Sequence, residues 1–323
     1  MKGLELCQDF FETIGLPTIK EKVPECLPHI AAGMSGGSQC HGNDDEVSRD
    51  HGWGAGFCIW LLPEHHELYS KKLEDIFEHL PLEYRGFHRQ PVVVCEINSY
   101  VRSVVGRENP PERDFGWLYI PEESLFEITR RPVFYDGTGE ITGRFGSFRS
   151  YPVDVWKKRL SACIAWLWEW GIKHLKRAEM RGDLITASMY WCRFATYAMK
   201  GSFLLNHTYA PYHKWLYKEF LKLSRLSDEI APKIDEGFTR REDRYALCVE
   251  ITGIISEALR ELNYHPVASK KAGVAYPENE LLRYAKGIQN SIEDLKIREM
   301  RLYGEILLPP SKLTWAAAFP QRI

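Results

Sequence analysis

Side chains able to handle phosphate and metal are concentrated in one stretch, Gly36-Gly37-Ser38-Gln39-Cys40-His41-Gly42-Asn43-Asp44-Asp45-Glu46-Val47-Ser48-Arg49-Asp50-His51-Gly52-Trp53-Gly54. Gly36 and Gly37 would let backbone amides come close to a phosphate, and Ser38 adds a hydroxyl donor. Four acids, Asp44, Asp45, Glu46 and Asp50, fall within seven residues and repel one another unless they are solvated or hold a cation. Hard oxygen ligands of this kind suit Mg²⁺, which takes one or two carboxylates and shares its remaining positions with substrate phosphates. Arg49 has the fork geometry to grip a triphosphate, or else to pair with Glu46. A solvated acidic turn has the same composition, so both readings stand at this point.

Such a loop needs strands on either side to position it. His29 to Met34 is a short apolar run that feeds the glycine turn, and Gly54 to Leu62, with Phe57, Ile59 and Trp60, reads as a second strand closed by Pro63. A helix is expected from Glu64 to His79, and a third strand from Pro91 to Ile97, whose Val92-Val93-Val94 suggests burial on both faces. Ahead of them Leu4, Cys7, Phe11 and Ile14 mark one face of an N-terminal helix, with Gly15 and Pro17 as its stop. From Asn109 to Phe148 breakers dominate. Only Val133 to Tyr135 suggests a strand, and Asp136-Gly137-Thr138-Gly139 reads as a turn.

After Pro152 the pattern changes to a helical period. Trp156, Leu160, Cys163, Leu167 and Trp170 step by 4, 3, 4 and 3, and similar steps run through Leu184, Ser188, Trp191, Ala195 and Ala198, and through Tyr245, Cys248, Thr252, Ile255, Leu259 and Leu262. Shorter helices around Lys214 to Leu223 and Glu278 to Asn290 complete a bundle. Trp166, Trp168 and Trp170 cannot all share one helix face. Within the bundle, Tyr209-Ala210-Pro211-Tyr212-His213-Lys214-Trp215 is the most unusual string. Lys214 could reach a phosphate or acidic substrate while Tyr212 stacks on a base or sugar, with Trp215 expected in the core. The basic pairs Arg240-Arg241 and Lys270-Lys271 read as solvated charges. The expected fold class is therefore α+β, a small mixed-sheet domain over residues 1–150 followed by an all-helical bundle over 151–323.

Gly37-Ser38 followed twelve positions after the serine by Asp50 resembles the nucleotidyltransferase signature, a strand, a Gly-Ser turn opening a helix, and an acid-x-acid pair at the next strand. The longer string Gly37-Ser38, Gly42, Asp44-Asp45-Glu46, Ser48-Arg49-Asp50-His51 and Trp53-Gly54 resembles one uncharacterised bacterial branch of that superfamily, known as a domain of unknown function. The likeness extends through Val133-Phe134-Tyr135-Asp136-Gly137-Thr138-Gly139, Tyr151-Pro152-Val153-Asp154-Val155-Trp156 and the Tyr209 to Trp215 string, over about residues 1–265. It implies a minimal nucleotidyltransferase domain and a helical substrate domain. It further implies Mg²⁺-dependent transfer of a nucleotidyl group, AMP being the expected one, from ATP or another nucleoside triphosphate to a small molecule held between the domains.

On that resemblance Asp50 is the principal metal ligand, with Asp45, Asp44 and Glu96 as the further acids. Gly36, Gly37, Ser38 and Arg49 would cradle the triphosphate, and Lys214 with Tyr212 would close the cleft. The second acid of the pair should stand at position 52, which is Gly52. A two-metal mechanism clamps both the attacking and the leaving oxygen, so its loss weakens one of the sites. A catalytically altered or inactive nucleotide-binding protein, or a scaffold recruited to another reaction, is the alternative. Asp50-His51 also occurs in metal phosphohydrolases, but no His-x-x-x-His pair is present to complete such a site, which leaves His51 beside the metal rather than on it.

Composition narrows the remaining classes. With 42 Lys plus Arg against 44 Asp plus Glu, the formal charge of -2 carries no whole-chain footprint for nucleic acid or an anionic membrane. No apolar run approaches the roughly 20 residues a bilayer requires, and Glu5, Asp9 and Glu12 interrupt any secretory signal at the start. A cytoplasmic protein is expected. Its eight cysteines lack a C-x-x-C pair and read as small buried hydrophobes in a reducing compartment. Aromatic residues at 13% leave room for a homodimer.

Overall fold

The strands form where the apolar runs are shortest and most β-branched or aromatic. In the computed structural model, which describes residues 1–50, 52–240, 242–268 and 280–303 and only the backbone of Asp50, β1 is Ile30–Gly33, β2 Cys58–Leu61, β3 Glu83–Tyr84, β4 Phe87–His88, β5 Val93–Glu96 and β6 Val133–Asp136. His51, Arg241 and the pair Lys270-Lys271 lie outside the described residues. A mixed four-stranded sheet runs β5-β2-β1-β6, with β1 antiparallel to β2 and β6 and with β2 parallel to β5. The two central strands are wholly buried, whereas β5, expected to be buried on both faces, is half-buried because it lies at the sheet edge. A separate hairpin pairs β3 with β4 around Arg85-Gly86, both in left-handed conformations.

Two compact units divide the described chain, one of Met1–Pro110 and Ser124–Arg149, the other of Pro111–Glu123 and residues 150–303. The expected division at 150 leaves out the short 111–123 stretch that joins the helical unit. The first unit carries the sheet, the Pro63–Glu78 and Ile97–Val105 helices, and an N-terminal helix that does not stop at Gly15. Gly3–Phe10 continues through a π-helical turn, Phe11–Gly15, into Leu16–Lys22. Pro17 sits in the first turn of that last segment, where a missing N–H costs little, and the widened turn before it accommodates the ring. Phe10, Phe11, Phe57 and Phe77 fill the core between this helix and the sheet.

The second unit is helical, as the periodicity predicts. Its long members are Val153–Leu167, Leu184–Leu205, Ser227–Thr239, Arg244–Glu261 and Glu280–Asn290. The first of these passes into a π-helical segment, Trp168–Leu175, whose altered period brings Trp166 and Trp170 into a parallel stack 5.1 Å apart while Trp168 faces Lys173. Lys158 is buried between Gln289 Oε1 and the Arg301 carbonyl, both at 2.9 Å, and burial lowers its pKa to about 8. No helix among the described residues is long and apolar enough to cross a membrane. All eight cysteines are free, seven of them buried or half-buried and Cys192 exposed.

Candidate active site

The Gly36-Gly37-Ser38 turn leaves the end of β1 through Met34 and Ser35, and Ser38 opens a short 3-10 helix, Ser38–His41. Gly37 has φ of 95°, a conformation that any other side chain would strain, and an added Cβ would meet nothing nearer than 3.9 Å. The turn is half-buried. What holds it is a linked set of polar side chains behind it. Tyr100 donates its hydroxyl to the Ser35 carbonyl at 2.9 Å, and the Cys40 thiol donates to the Gly36 carbonyl at 3.0 Å.

Behind Cys40 lies Arg131, its side chain 3% exposed. Arg131 Nη1 donates to Cys40 Sγ at 3.6 Å and Nη2 to Glu127 Oε2 at 3.1 Å, while the other Glu127 oxygen is 3.1 Å from His41 Nε2. Arg131 Nε has no partner. Burial works against the charged guanidinium, but the Tyr100 phenol, the Cys40 thiol and the Glu127 carboxylate outweigh it and hold the charge there. Burial likewise works against ionised Glu127, and the His41 and Arg131 contacts outweigh it and keep its carboxyl below the usual range. The same burial raises the Cys40 thiol to about 11, which keeps it protonated and inert.

Sequence reasoning missed Arg131 and Glu127. They occupy the breaker-rich connecting region, and the available signal was their i,i+4 spacing at the end of the Glu122–Thr129 helix.

The acids expected at a metal are differently employed. Asp44 is turned inward, 2% exposed, and its Oδ2 accepts the Gly3 amide at 2.8 Å and the Trp53 indole N–H at 3.0 Å. It closes the N-terminus of the first helix, where a carboxylate also meets the helix dipole favourably. The fit is close enough that a Cβ on Gly3 would lie 2.5 Å from Gln39 Oε1 and 2.7 Å from Trp53 Nε1. Burial raises the Asp44 pKa, but the Gly3, Trp53 and Lys2 interactions prevail and lower it. Asp45 is exposed and accepts both the Ser48 amide and hydroxyl at 2.9 Å, capping the 3-10 helix Val47–Asp50. Glu96 caps the Ile97–Val105 helix by accepting the Asn98 and Ser99 amides at 2.6 and 2.8 Å and the Ser99 hydroxyl at 2.7 Å.

Asp50 ends the 3-10 helix, eight positions before β2 begins at Cys58 rather than at the entrance of a strand. The expected strand start at Gly54 is wrong because Gly54, with φ of 151°, lies against the His88 carbonyl and leaves only Ala55 bridged to Arg89. Gly52 has φ of 65°. Among the described residues no three His, Cys, Asp or Glu side chains converge on a metal position. Asp44, Asp45 and Glu96 accept from backbone amides of three different segments, Asp44 through Oδ2 alone with its Oδ1 buried and without a partner, and so do not fit a shared Mg²⁺ site.

Arg49 is exposed and lays its guanidinium over the Trp53 ring, 4.6 Å from its centroid, instead of pairing with Glu46. Tyr212 and Lys214 lie on the surface of the helical unit, at and just after the start of the 3-10 helix His213–Trp215. Trp215 is half-buried rather than core and carries the Lys214 and Lys218 ammonium groups at 4.8 and 5.4 Å from its ring centre. Asp136, read as a turn residue, accepts four hydrogen bonds, from the Thr138 hydroxyl, the Gly139 amide and both the amide and hydroxyl of Thr142.

A profile of a family described as a domain of unknown function (DUF4037) matches residues 117–216. No protein of curated description matches the sequence. Among solved structures, the chain is similar to a nucleotidyltransferase-like protein from Exiguobacterium sibiricum 255-15, at 9% identity and a TM-score of 0.35 over 87% of this chain and 88% of that one.

Proposed function

We propose that the protein binds a nucleoside triphosphate, ATP first among them, at the Gly36-Gly37-Ser38 turn, on a nucleotidyltransferase-like scaffold whose metal centre is altered. The observation that carries this reading is the buried Arg131 behind a half-buried glycine turn. A guanidinium and an imidazole stand there against a single carboxylate, Glu127. A turn that offers free amides in front of fixed positive charge suits a phosphate chain. The alteration follows from Gly52 and from the capping roles of Asp44, Asp45 and Glu96.

A second reading, Mg²⁺-dependent transfer of AMP to a hydroxyl of a small molecule, is favoured by the twelve-residue spacing from Ser38 to Asp50. Calorimetric titration with ATP and GTP, each with and without Mg²⁺, on wild type, Ser38→Ala and Asp50→Asn separates the two. Binding weakened by Ser38→Ala and indifferent to Mg²⁺ and to Asp50→Asn supports the first. Mg²⁺-dependent binding lost in Asp50→Asn supports the second and justifies a screen of acceptors for nucleotidylated product. Absence of binding to both nucleotides overturns both.

A further inference from the structure

Two cysteines of the sheet unit meet across neighbouring strands. Cys58 opens β2 and Cys95 lies in β5, and the Cys58 thiol points at Cys95 Sγ across 3.8 Å, with the Ile59 carbonyl as its other acceptor at 3.7 Å. Cys7, Cys40 and Cys163 instead donate to carbonyls alone, those of Gly54, Gly36 and Tyr197. Cys58 is wholly buried, whereas Cys95 is half-buried because β5 is an edge strand. A small solute therefore meets Cys95 first, and the Cys58 sulfur stands against it from the inside.

We infer that Cys58 and Cys95 form a reversible redox pair that hydrogen peroxide or another hydroperoxide closes to a disulfide. The Cys95 thiolate attacks one peroxide oxygen, the O–O bond breaks and hydroxide leaves, giving a sulfenic acid on Cys95. The Cys58 sulfur then displaces that hydroxyl group, the S–S bond forms, and the Cys58 proton departs with the hydroxyl as water. Two thiols are oxidised in all, and one peroxide is reduced to two waters. A half-buried thiol with a second thiol in contact behind it is the arrangement this sequence of steps requires.

The register makes the closure a mechanical event as well. Cys58 is paired with Val93 and Cys95 with Trp60, so the two cysteines are diagonal neighbours rather than direct partners. Diagonal α-carbons stand about 7–8 Å apart, at the limit of what a disulfide spans without movement of the backbone. Among the described residues β5 pairs with β2 alone in this sheet, which leaves it free to slide along β2 and shorten the diagonal. The Ile97–Val105 helix follows β5 directly and moves with it. That helix carries Tyr100, whose ring lies 5.3 Å from Trp60 and whose hydroxyl holds the Ser35 carbonyl at the head of the glycine turn. Oxidation of the pair thus pulls on the turn from behind, whether or not the turn binds a nucleotide.

The test is oxidation of the full chain by a small excess of hydrogen peroxide, with the exposed Cys192 changed by Cys192→Ser to prevent links between molecules. After alkylation of the remaining thiols, peptide mapping by mass spectrometry is expected to show the Cys58 and Cys95 peptides joined, two hydrogens lighter than their sum, in most molecules. Dithiothreitol should separate them, and Cys95→Ser should lose the joined species. Hydrogen exchange over residues 35–40 and 97–105 should run several-fold faster in the oxidised form than in the reduced one. No reaction at either cysteine, oxygen added to Cys95 without a link, or a link from either to a different cysteine overturns the pair. A Cys58 to Cys95 link that leaves exchange in both segments unchanged overturns the pull on the turn.

Discussion

Acids in the two units differ in what is left of their bonding capacity. In the sheet unit Asp136 accepts four hydrogen bonds and Glu96 three, and each carboxyl is held below its usual pKa range: burial opposes this, but hydrogen bonds from neighbouring amides and hydroxyls prevail. In the helical unit Glu122 takes the Ala210 amide and leaves one oxygen sealed and unpaired, with its pKa pushed up by burial. The acids whose spacing suggested chemistry serve largely as caps. Unused capacity remains at Glu122, which no motif singled out, and at Asp44, whose Oδ1 is buried without a partner. Residue type and spacing therefore locate where chemistry could happen, but a cap and a ligand look alike until the backbone amides around them are placed.

Substitution at Arg131 tests the sheet-unit half of this contrast most severely. Arg131→Met leaves the half-buried Glu127 with His41 alone; loss of one partner of a fully buried pair costs about 3–5 kcal/mol, and the partial exposure of Glu127 brings the expected loss to about 2–3 kcal/mol. Urea unfolding should show the drop, with Arg131→Lys recovering part of it because an ammonium restores the charge but not the fork. A midpoint unchanged in Arg131→Met would mean that the linked set behind the glycine turn does not support it.

Next in size is Asp136→Asn, expected to lose about 1–2 kcal/mol as a charged cap becomes a neutral one. Because the folded pKa is depressed, the carboxylate stabilises above its unfolded value of about 3.9 and that contribution disappears as pH falls through the folded value. The gap in melting temperature between wild type and Asp136→Asn should thus be full near neutrality and close in acid. A gap that persisted at low pH would assign the effect to shape rather than charge.

Glu122→Gln carries the opposite sign. With the folded pKa raised, the unfolded chain ionises first, so wild type has no penalty below the unfolded value of about 4.3 and acquires one as pH rises from there through the folded value. The variant should match wild type in acid and exceed it at neutral pH by about 1 kcal/mol or less, read from melting curves across pH. Equal curves at every pH would instead make Glu122 a satisfied structural acid and erase the difference between the two units.

Much of the fold was legible because it follows from period alone. The strands Ile30–Gly33 and Val133–Asp136 and the helices Pro63–Glu78, Leu184–Leu205 and Arg244–Glu261 lie within a few residues of their predicted spans. Ser227–Thr239 escaped notice because Pro232 stands inside it, and a proline within a helix usually signals its end. Both π-helical segments hide for a related reason, since a widened turn shifts the period that identifies a helix. The glycine turn was visible from composition. Its supports were not, because Tyr100, Glu127 and Arg131 lie 64 to 96 positions from Ser35 and Gly36 and only the sheet brings them together. The strand assigned from Gly54 went wrong for want of the His88 carbonyl, which no local pattern announces.

Gly52→Asp is expected to change stability least and to sharpen the comparison most. The position has φ of 65° and open space around a would-be Cβ, and aspartate tolerates the left-handed region better than most residues, so the cost should stay near 1 kcal/mol or below. It also restores the acid two positions after Asp50 that the nucleotidyltransferase signature calls for. If Gly52 is what altered the metal centre, the variant should bind ATP more tightly with Mg²⁺ than without, and by a larger ratio than wild type. An Mg²⁺ response identical to wild type would reduce the Ser38 to Asp50 spacing to coincidence. The acids of this loop would then be caps throughout, and binding at the turn would rest on its amides and on the charge of Arg131.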